Sequence, residues 1–206
     1  MAKSFEMDTI MVMRSSIGGL AILLLSASAM AQDASTKVVL ELFTSQGCSS
    51  CPPADALLET YKKRDDIIAL SVPVDYWDRL GWKDTYASRE YTLRQQEYAR
   101  ARGDGQVYTP QIVVNGGPHA VGSSRTAIDN AVGASKKALA DTRVTLQARI
   151  EGADIVVDVG AARAGAAVSG GKLLVAVAKD SGTVAIGRGE NAQRSITYHI
   201  IILFAP

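Results

Sequence analysis

The chain has 206 residues, a formal net charge of +1 and only two cysteines. This length is enough for one sizeable hydrophobic core or two smaller ones. The balanced charge and the lack of a basic run argue against nucleic-acid binding, and two cysteines are too few for a small fold held together by several disulfides.

The N-terminal segment, residues 1–31, is predicted to be a secretory signal peptide. Residues 17–31 form an apolar stretch that ends in small residues, Arg14 precedes it, and residues 29–31 give an A-x-A cleavage pattern. The stretch is shorter than the ~20 apolar residues that a transmembrane helix needs. We therefore expect cleavage, a periplasmic or secreted protein and no stable membrane insertion. The alternative is an uncleaved anchor.

The next elements predict a parallel βαβ unit. Residues 37–44 are apolar and β-branched, which indicates a buried strand. Residues 54–63 favour a helix with apolar residues at helical spacing and lysines in the last turn. Residues 66–74 read as a second strand. A strand, helix, strand order of this length implies that the two strands are parallel.

A helix, a hairpin and a closing helix are predicted to complete a domain over residues 37–138. Residues 85–102 are polar and favour a helix. Residues 108–122 contain two short apolar runs around an Asn-Gly pair, which indicates a β-hairpin. Ser123 or Ser124 is expected to cap the last helix.

The composition changes near Asp141, and residues 142–206 are predicted to form a small all-β domain. Glycine-containing turns separate the extended segments of this region, which span residues 143–150, 154–159, 172–179, 183–186 and 195–204. The predicted fold class is therefore α/β with a central mixed sheet, followed by a small all-β C-terminal domain.

The two cysteines, Cys48 and Cys51, connect the first strand to the first helix in the run SQGCSSCPPAD. A Cys-x-x-Cys pair at this place is typical of a redox site. The unpaired N–H groups and partial positive charge of a helix start are expected to lower the pKa of Cys48 and favour its thiolate. We assign Cys48 as the nucleophile and Cys51 as the resolving thiol, which attacks a mixed disulfide.

Two other roles for the pair stay open. A structural disulfide that closes so short a loop stabilises a protein by only about 2 kcal/mol on the chain-entropy model. A closed metal site usually needs four ligands, and the chain has only two histidines. Of these, His119 would approach the pair if the predicted hairpin packs beside it.

Glu41 is a further candidate for the site. It lies inside the apolar first strand, on the same face as Val39 and Phe43. A buried acid near the pair would have a raised pKa and would move the proton of Cys51. The alternative is a glutamate near the end of a strand that reaches solvent.

The loop over residues 75–84, DYWDRLGWKD, carries both tryptophans of the chain. It follows the second strand, and in open α/β sheets the binding crevice lies beyond the carboxyl ends of the strands. Trp77 and Trp82, with Tyr76, are therefore expected near Cys48, as an apolar wall for a peptide or a small thiol. The alternative is that both indoles only pack a helix onto the sheet.

From residue 37 to residue 137 the chain resembles thioredoxin-like proteins. More narrowly, ELFTSQGCSSCPPAD, VDYWDRLGWKD, YTPQIVVNG and IGRGEN resemble a family of exported bacterial proteins catalogued as domain of unknown function 1223. The resemblance implies a thioredoxin-like fold followed by a β-rich region. It implies no activity, because the family is named for lacking one.

The thioredoxin-like resemblance also implies a role for Thr109 and Pro110. In these folds a cis-proline at this place faces the cysteine pair, and proline is the residue for which a cis bond is inexpensive. The backbone of Thr109 would then be free to pair with a substrate strand. An ordinary trans proline at a strand edge is the alternative.

The chain departs from its relatives at two places. Thioredoxins usually carry an aromatic residue just before the first cysteine, where this chain has Gly47. The apolar ending after Ser195 differs from the more polar continuation of the family, which suggests a truncated C-terminus. Residues 200–204 are then expected to form an exposed edge.

These patterns predict an exported thiol–disulfide oxidoreductase that uses no cofactor and no metal ion. Its partner would be a thiol or disulfide of a protein or a small molecule. The alternatives are a non-catalytic thioredoxin-like binding module, with the cysteines as a passive clip, and a metal carrier that uses the two thiolates. The redox interpretation requires a cis Pro110 across from the pair and a Cys48 that a visiting molecule can reach.

Overall fold

The computed structural model describes residues 37–140, 144–160 and 173–204. The predicted signal peptide, residues 1–31, lies outside the described residues. Within the described ranges, no helix combines the length and the apolar character needed to cross a membrane.

The first three elements form the predicted parallel βαβ unit. They are β1 (Val38–Thr44), α1 (Pro52–Lys62) and β2 (Ile67–Pro73). β1 is apolar at almost every position because both of its faces are covered: Leu42 packs with the residues of α1, and Phe43 packs on the opposite side. The carboxyl end of β1 therefore leads directly into residues 45–51, which we call the cysteine loop.

The next elements also follow the predicted order. They are α2 (Arg89–Arg102), β3 (Gln111–Val114), β4 (His119–Val121) and α3 (Arg125–Ala138). Ser88 and Ser124 cap the two helices, and each side chain accepts a hydrogen bond from a backbone N–H in the first turn. Asn115 and Gly116 both have positive φ at the hairpin turn, as the Asn-Gly pair predicts.

The C-terminal part of the chain contributes four strands, β5 (Leu146–Glu151), β6 (Asp154–Val159), β7 (Val177–Ala185) and β8 (Ser195–Phe204). β5 and β6 form a two-stranded antiparallel sheet. β7 and β8 instead join the central sheet, which has six strands in the order β4-β3-β1-β2-β8-β7. β8 runs parallel to β2 and antiparallel to β7.

This arrangement does not confirm a separate all-β C-terminal domain over residues 142–206. The predicted α/β domain would leave the edge of β2 open, and a buried apolar strand needs a partner at that edge. β8 supplies the partner. The expected exposed edge at residues 200–204 is consequently wrong, because β8 lies between two strands, with Ile201 and Ile202 buried and Leu203 exposed.

Helices cover both faces of the central sheet. α1 and α3 pack on one face through Leu58 and Ile128, and α2 packs on the other through Tyr91. The cysteine loop follows β1 and the tryptophan loop follows β2. Since β1 and β2 are parallel, both loops lie at the same end of the sheet.

Candidate functional site

Cys48 and Cys51 form a disulfide where β1 leads into α1. Cys51 is the N-cap of α1, and the two prolines that follow it occupy the first helical turn, where a missing N–H costs little. The next two N–H groups of the helix donate to the Cys51 carbonyl at 2.8 and 3.1 Å. The Ser50 hydroxyl lies 3.5 Å from Cys48 Sγ, so it is placed to donate to a thiolate there.

The peptide bond between Thr109 and Pro110 is cis, as the resemblance implied. The Gly122 N–H donates to the Pro110 carbonyl at 2.9 Å. A Cβ added at Gly122 would lie 3.0 Å from the Cβ atoms of both Ala54 and Pro110. The structure therefore brings Pro110 close to the first turn of the helix that Cys51 caps.

Trp77 packs against the residue that precedes Cys48. A Cβ at Gly47 would lie 3.0 Å from the Trp77 Cβ, so the two residues are in direct contact. The Trp77 indole N–H donates to Thr109 Oγ1 at 2.8 Å. Trp77 therefore contacts the residue before Cys48 and bonds to the residue before the cis-proline.

Trp82 supports the connection between β7 and β8. Its indole N–H donates to Gln46 Oε1 at 2.9 Å. Cβ atoms added at Gly187 and Gly189 would lie 3.1 and 3.6 Å from atoms of Trp82. These contacts join the loops around the cysteine pair and are not the packing of a helix onto the sheet. A role in substrate binding stays a prediction for Trp82, as it does for Trp77.

The structure does not bring Glu41 to the cysteine pair. Its carboxylate accepts hydrogen bonds from Arg94 Nε and from the Tyr98 hydroxyl of α2, both at 2.6 Å. Side chains alternate between the faces of a strand, so Glu41 lies on the face opposite to Leu42, which packs with α1. Its hydrogen bonds therefore hold α2 on the sheet.

Asp55 was not predicted from the sequence as a site residue, and it is a buried carboxyl group one helical turn after Cys51. Residues at i and i+4 share a helix face, with Cβ atoms about 5–6 Å apart. Burial raises the pKa of Asp55 to about 8, against a smaller lowering by the Thr44 hydroxyl, and the charge of Asp84 raises it further. The sequence signal that could have identified Asp55 is its position as an acidic residue among the buried positions of α1.

The surroundings of Asp55 are polar but poorly paired. In the described part of the chain, both Asp55 oxygens and the hydroxyls of Thr44 and Tyr198 have no hydrogen-bond partner of ordinary geometry. Burial raises the pKa of Tyr198, and the charges of Asp55 and Asp84 raise it further. An unpaired buried carboxylate is costly, so Asp55 is protonated at neutral pH.

Both cysteines are fully buried, at 0 % exposure. The connection between β7 and β8 covers their loop: Asn191 Nδ2 donates to the carbonyl oxygens of Gln46 at 3.0 Å and Cys48 at 2.8 Å. Glu190 Oε2 accepts a hydrogen bond from the Ser49 N–H at 3.1 Å. This finding contradicts the expectation that Cys48 is reachable, at least while the disulfide is formed.

His119 does not approach the cysteine pair. Its Nδ1 lies 2.8 Å from the Tyr108 hydroxyl, and its Nε2 lies 3.2 Å from Asp104 Oδ2. Among residues 37–140, 144–160 and 173–204, no group of three or more His, Cys, Asp or Glu side chains is placed to hold a metal ion. The metal-carrier alternative, which uses only the two thiolates, stays a prediction.

Comparison with known proteins identifies relatives of the whole folded region. The sequence profile of a family described as "Protein of unknown function (DUF1223)" matches residues 39–203. The crystal structure of a protein from Agrobacterium tumefaciens is similar, with a TM-score of 0.71 and 36 % sequence identity, over 85 % of this chain and 73 % of that chain. None of the curated proteins compared matches the chain.

Proposed function

Since the chain belongs to the DUF1223 family, which is defined without an activity, we propose a function from the site itself: an exported thiol–disulfide oxidoreductase with a thioredoxin-like fold. The observation that carries the proposal is the Cys48–Cys51 disulfide at the start of α1, with the cis-Pro110 loop packed by the first turn of the same helix. The element order β1-α1-β2-α2-β3-β4-α3, with β3 antiparallel to β1, supports the thioredoxin-like interpretation.

The proposed reaction moves two electrons between sulfur atoms. In the reduced protein, the Cys48 thiolate attacks a partner disulfide, forms a mixed disulfide and releases one partner sulfur as a thiolate. Cys51 loses its proton and attacks Cys48 Sγ, which restores the intramolecular disulfide and releases the second partner thiolate. The partner is reduced and this chain is oxidised. The reverse sequence oxidises a partner dithiol, and neither direction needs an organic cofactor.

Three groups near the pair have proposed roles in this exchange. The carboxylate form of Asp55, a minority at neutral pH, takes the proton of Cys51 as it attacks, and the acid form returns the proton when Cys51 leaves. Its pKa of about 8 lies close to that of an ordinary thiol, about 8.5, so the transfer is nearly balanced. Ser50 stabilises the Cys48 thiolate by a hydrogen bond. Trp77 and the backbone of Thr109 flank the bound partner.

The complete burial of both sulfurs favours a second candidate function. A disulfide that no partner reaches acts as a passive clip at the start of α1, and the chain is then a non-catalytic thioredoxin-like binding module. The two candidates differ in chemistry. A redox pair has an activated thiolate and an intermediate reduction potential, whereas a structural disulfide resists reduction.

The reactivity of the reduced protein separates the two candidates. We expect the rate of Cys48 alkylation against pH to give an apparent thiol pKa below about 8.5, and a reduction potential within about −270 to −120 mV. Cys51→Ser should accumulate mixed disulfides at Cys48 in cells, and Cys48→Ser should not. An ordinary thiol pKa with a potential below about −300 mV would establish the clip instead.

Asp55 and Glu41 provide a matched pair of carboxyl variants for the mechanism. Asp55→Asn should slow the attack of Cys51 on a preformed mixed disulfide by about a hundredfold, the range of general acid–base catalysis. Glu41→Gln should leave that rate unchanged, because Glu41 bonds only to Arg94 and Tyr98 among the described side chains. Stopped-flow measurement of mixed-disulfide decay gives both rates, and equal slowing by the two variants would exclude the role of Asp55.

A further inference from the structure

The burial of the disulfide has a local cause. Ser49 and Ser50, between the two cysteines, are exposed, whereas both cysteines are buried. The cysteine loop thus reaches the surface, but a second segment covers it. We call this segment, residues 187–194 between β7 and β8, the cover segment.

The cover segment is a compact unit with its own hydrogen bonds. At its base, the Ile186 N–H donates to the Arg194 carbonyl at 2.9 Å and the Gln193 N–H donates to the Ile186 carbonyl at 2.8 Å. Inside it, the Ala192 N–H donates to the Gly189 carbonyl at 3.1 Å. Ile186 itself is buried. The segment is therefore a hydrogen-bonded loop between the ends of β7 and β8.

Two side chains hold the cover segment on the cysteine loop. Asn191 is fully buried, donates to the carbonyls of residues 46 and 48, and accepts from Arg194 Nη1 at 2.8 Å. Glu190 is exposed and accepts from the Ser49 N–H at 3.1 Å. Both side chains bind the backbone around Cys48, so closure depends on the conformation of the cysteine loop.

Reduction changes the charge at this contact. The disulfide is neutral, and hydrogen bonds from Ser49 lower the pKa of Glu190, so Glu190 is an anion at neutral pH. A thiolate at Cys48 would be a second anion, one residue from the N–H group that Glu190 occupies. The thiolate and the Glu190 carboxylate would then be like charges held at neighbouring residues of the same loop, and like charges repel.

We propose that the cover segment is a redox-sensitive lid: it is closed over the Cys48–Cys51 disulfide, and it is released when reduction creates the Cys48 thiolate beside Glu190. This inference rests on the proposed function, because it supplies the access to Cys48 that attack of the reduced protein on a partner disulfide needs. Asn191 is the principal latch, and Glu190 is the group that senses the thiolate.

Amide hydrogen exchange tests the lid in the full-length protein without any partner. At about pH 9.5, where even an ordinary thiol is largely ionised, peptides that contain residues 187–194 should exchange at least about tenfold faster in the reduced protein than in the oxidised protein. Peptides from α3 should exchange equally in both. Equal exchange of the cover segment in the two redox states would overturn the proposal.

Two variants identify the latch and the sensor. Glu190→Gln keeps the shape but removes the charge, so it should remove most of the difference between the redox states. Asn191→Ala should expose the disulfide and speed its reduction by a phosphine about tenfold, the effect of losing about one net hydrogen bond. Glu97→Gln on α2 and Asn130→Ala on α3, both exposed residues, are the matched controls and should change neither measurement.

The outcomes separate the lid from the proposed function. Suppose that the cover segment exchanges faster on reduction while Cys48 has an ordinary thiol pKa. The lid proposal would then stand, and the oxidoreductase proposal would be refuted. Suppose instead that the pKa of Cys48 is low while the cover segment exchanges equally in both redox states. The oxidoreductase proposal would then stand, and the lid proposal would be refuted. If Asn191→Ala lowers the melting temperature, Glu190→Gln still decides the question, because it alters only an exposed side chain.

Discussion

At the residue scale, two buried carboxyl groups show how neighbours decide a role. Glu41 is ion-paired with Arg94 at 2.6 Å and bonded to Tyr98, so its charge is balanced on the α2 face. Among the described residues no cation pairs with Asp55, and burial raises its pKa to about 8. An acid that can change protonation near neutral pH suits proton transfer, whereas an acid in a salt bridge suits structure.

The raised pKa of Asp55 predicts a dependence of stability on pH. The folded state holds a proton that the unfolded state has lost between its ordinary pKa of 3.8 and about 8. The contribution of Asp55 to stability is therefore complete below about pH 4 and is lost as the pH rises through about pH 8. Asp55→Asn keeps a neutral group at this position and should remove that loss.

Urea unfolding between about pH 4 and about pH 9 measures this effect. The free energy of unfolding of Asp55→Asn minus that of the parent should rise with pH by at most about 1.4 kcal/mol per unit. Asp65→Asn, at an exposed position, is the matched control and should parallel the parent. A difference for Asp55→Asn that is constant with pH would contradict the assignment.

At the element scale, the hairpin packs closely on the first turn of α1 because residue 122, at the contact, is a glycine. Gly122 lies after β4, where an added Cβ would be 2.8 Å from Leu42 Cδ1 and 3.0 Å from the Ala54 and Pro110 Cβ atoms. These neighbours belong to β1, to α1 and to the loop before β3. The absence of a side chain at residue 122 thus sets how closely the cis-proline loop packs on α1.

A pair of glycine variants with opposite expected signs tests this packing. Gly122→Ala should lower the free energy of unfolding by about 1–3 kcal/mol through overpacking, since two of its three contacts are with short, rigid side chains. Gly133→Ala lies within α3, where a Cβ meets nothing within 4 Å, and should raise it by about 0.5–1 kcal/mol. Chemical denaturation measures both, and a neutral Gly122→Ala would show that the contact yields easily.

At the scale of the whole molecule, the C-terminal strands complete the sheet that carries the site. β8 covers the edge of β2, and the Tyr91 hydroxyl of α2 donates to the Ile202 carbonyl at 3.0 Å. The same strand pair carries the cover segment. The N-terminal α/β elements and β7–β8 therefore share one sheet, and the predicted domain division near residue 140 stays a prediction.

Truncation and replacement should distinguish these two parts of the C-terminal region. A chain of residues 37–140 should lose its cooperative thermal transition, because the edge of β2 and one side of the core become exposed. Replacing residues 141–172 by a Gly/Ser linker of equal length should retain the transition, since in the described structure β5 and β6 pair only with each other. Circular dichroism melts decide both, and a cooperative transition in the 37–140 chain would restore the two-domain prediction.

The sequence by itself determined the features that depend on neighbouring residues. These are the βαβ unit, the Asn-Gly hairpin, the serine cap of α3 and the placement of the cysteines at a helix start. Each one follows from contacts within about one or two elements, where periodicity, turn chemistry and capping act directly. The resemblance to thioredoxin-like proteins supplied the role of Pro110.

Only the tertiary structure decided which distant segments meet. It paired β8 with β2, set Glu41 on Arg94, buried Asp55 and brought Asn191 onto the carbonyl of Cys48. The physical reason is that any strand can hydrogen-bond to any other strand and any apolar side chain can be buried against another. The pattern of apolar residues in a strand shows that it needs a partner, but not which strand that partner is. The residue that bonds to the backbone of buried Cys48 therefore lies 143 residues farther along the chain, where no local sequence signal indicates it.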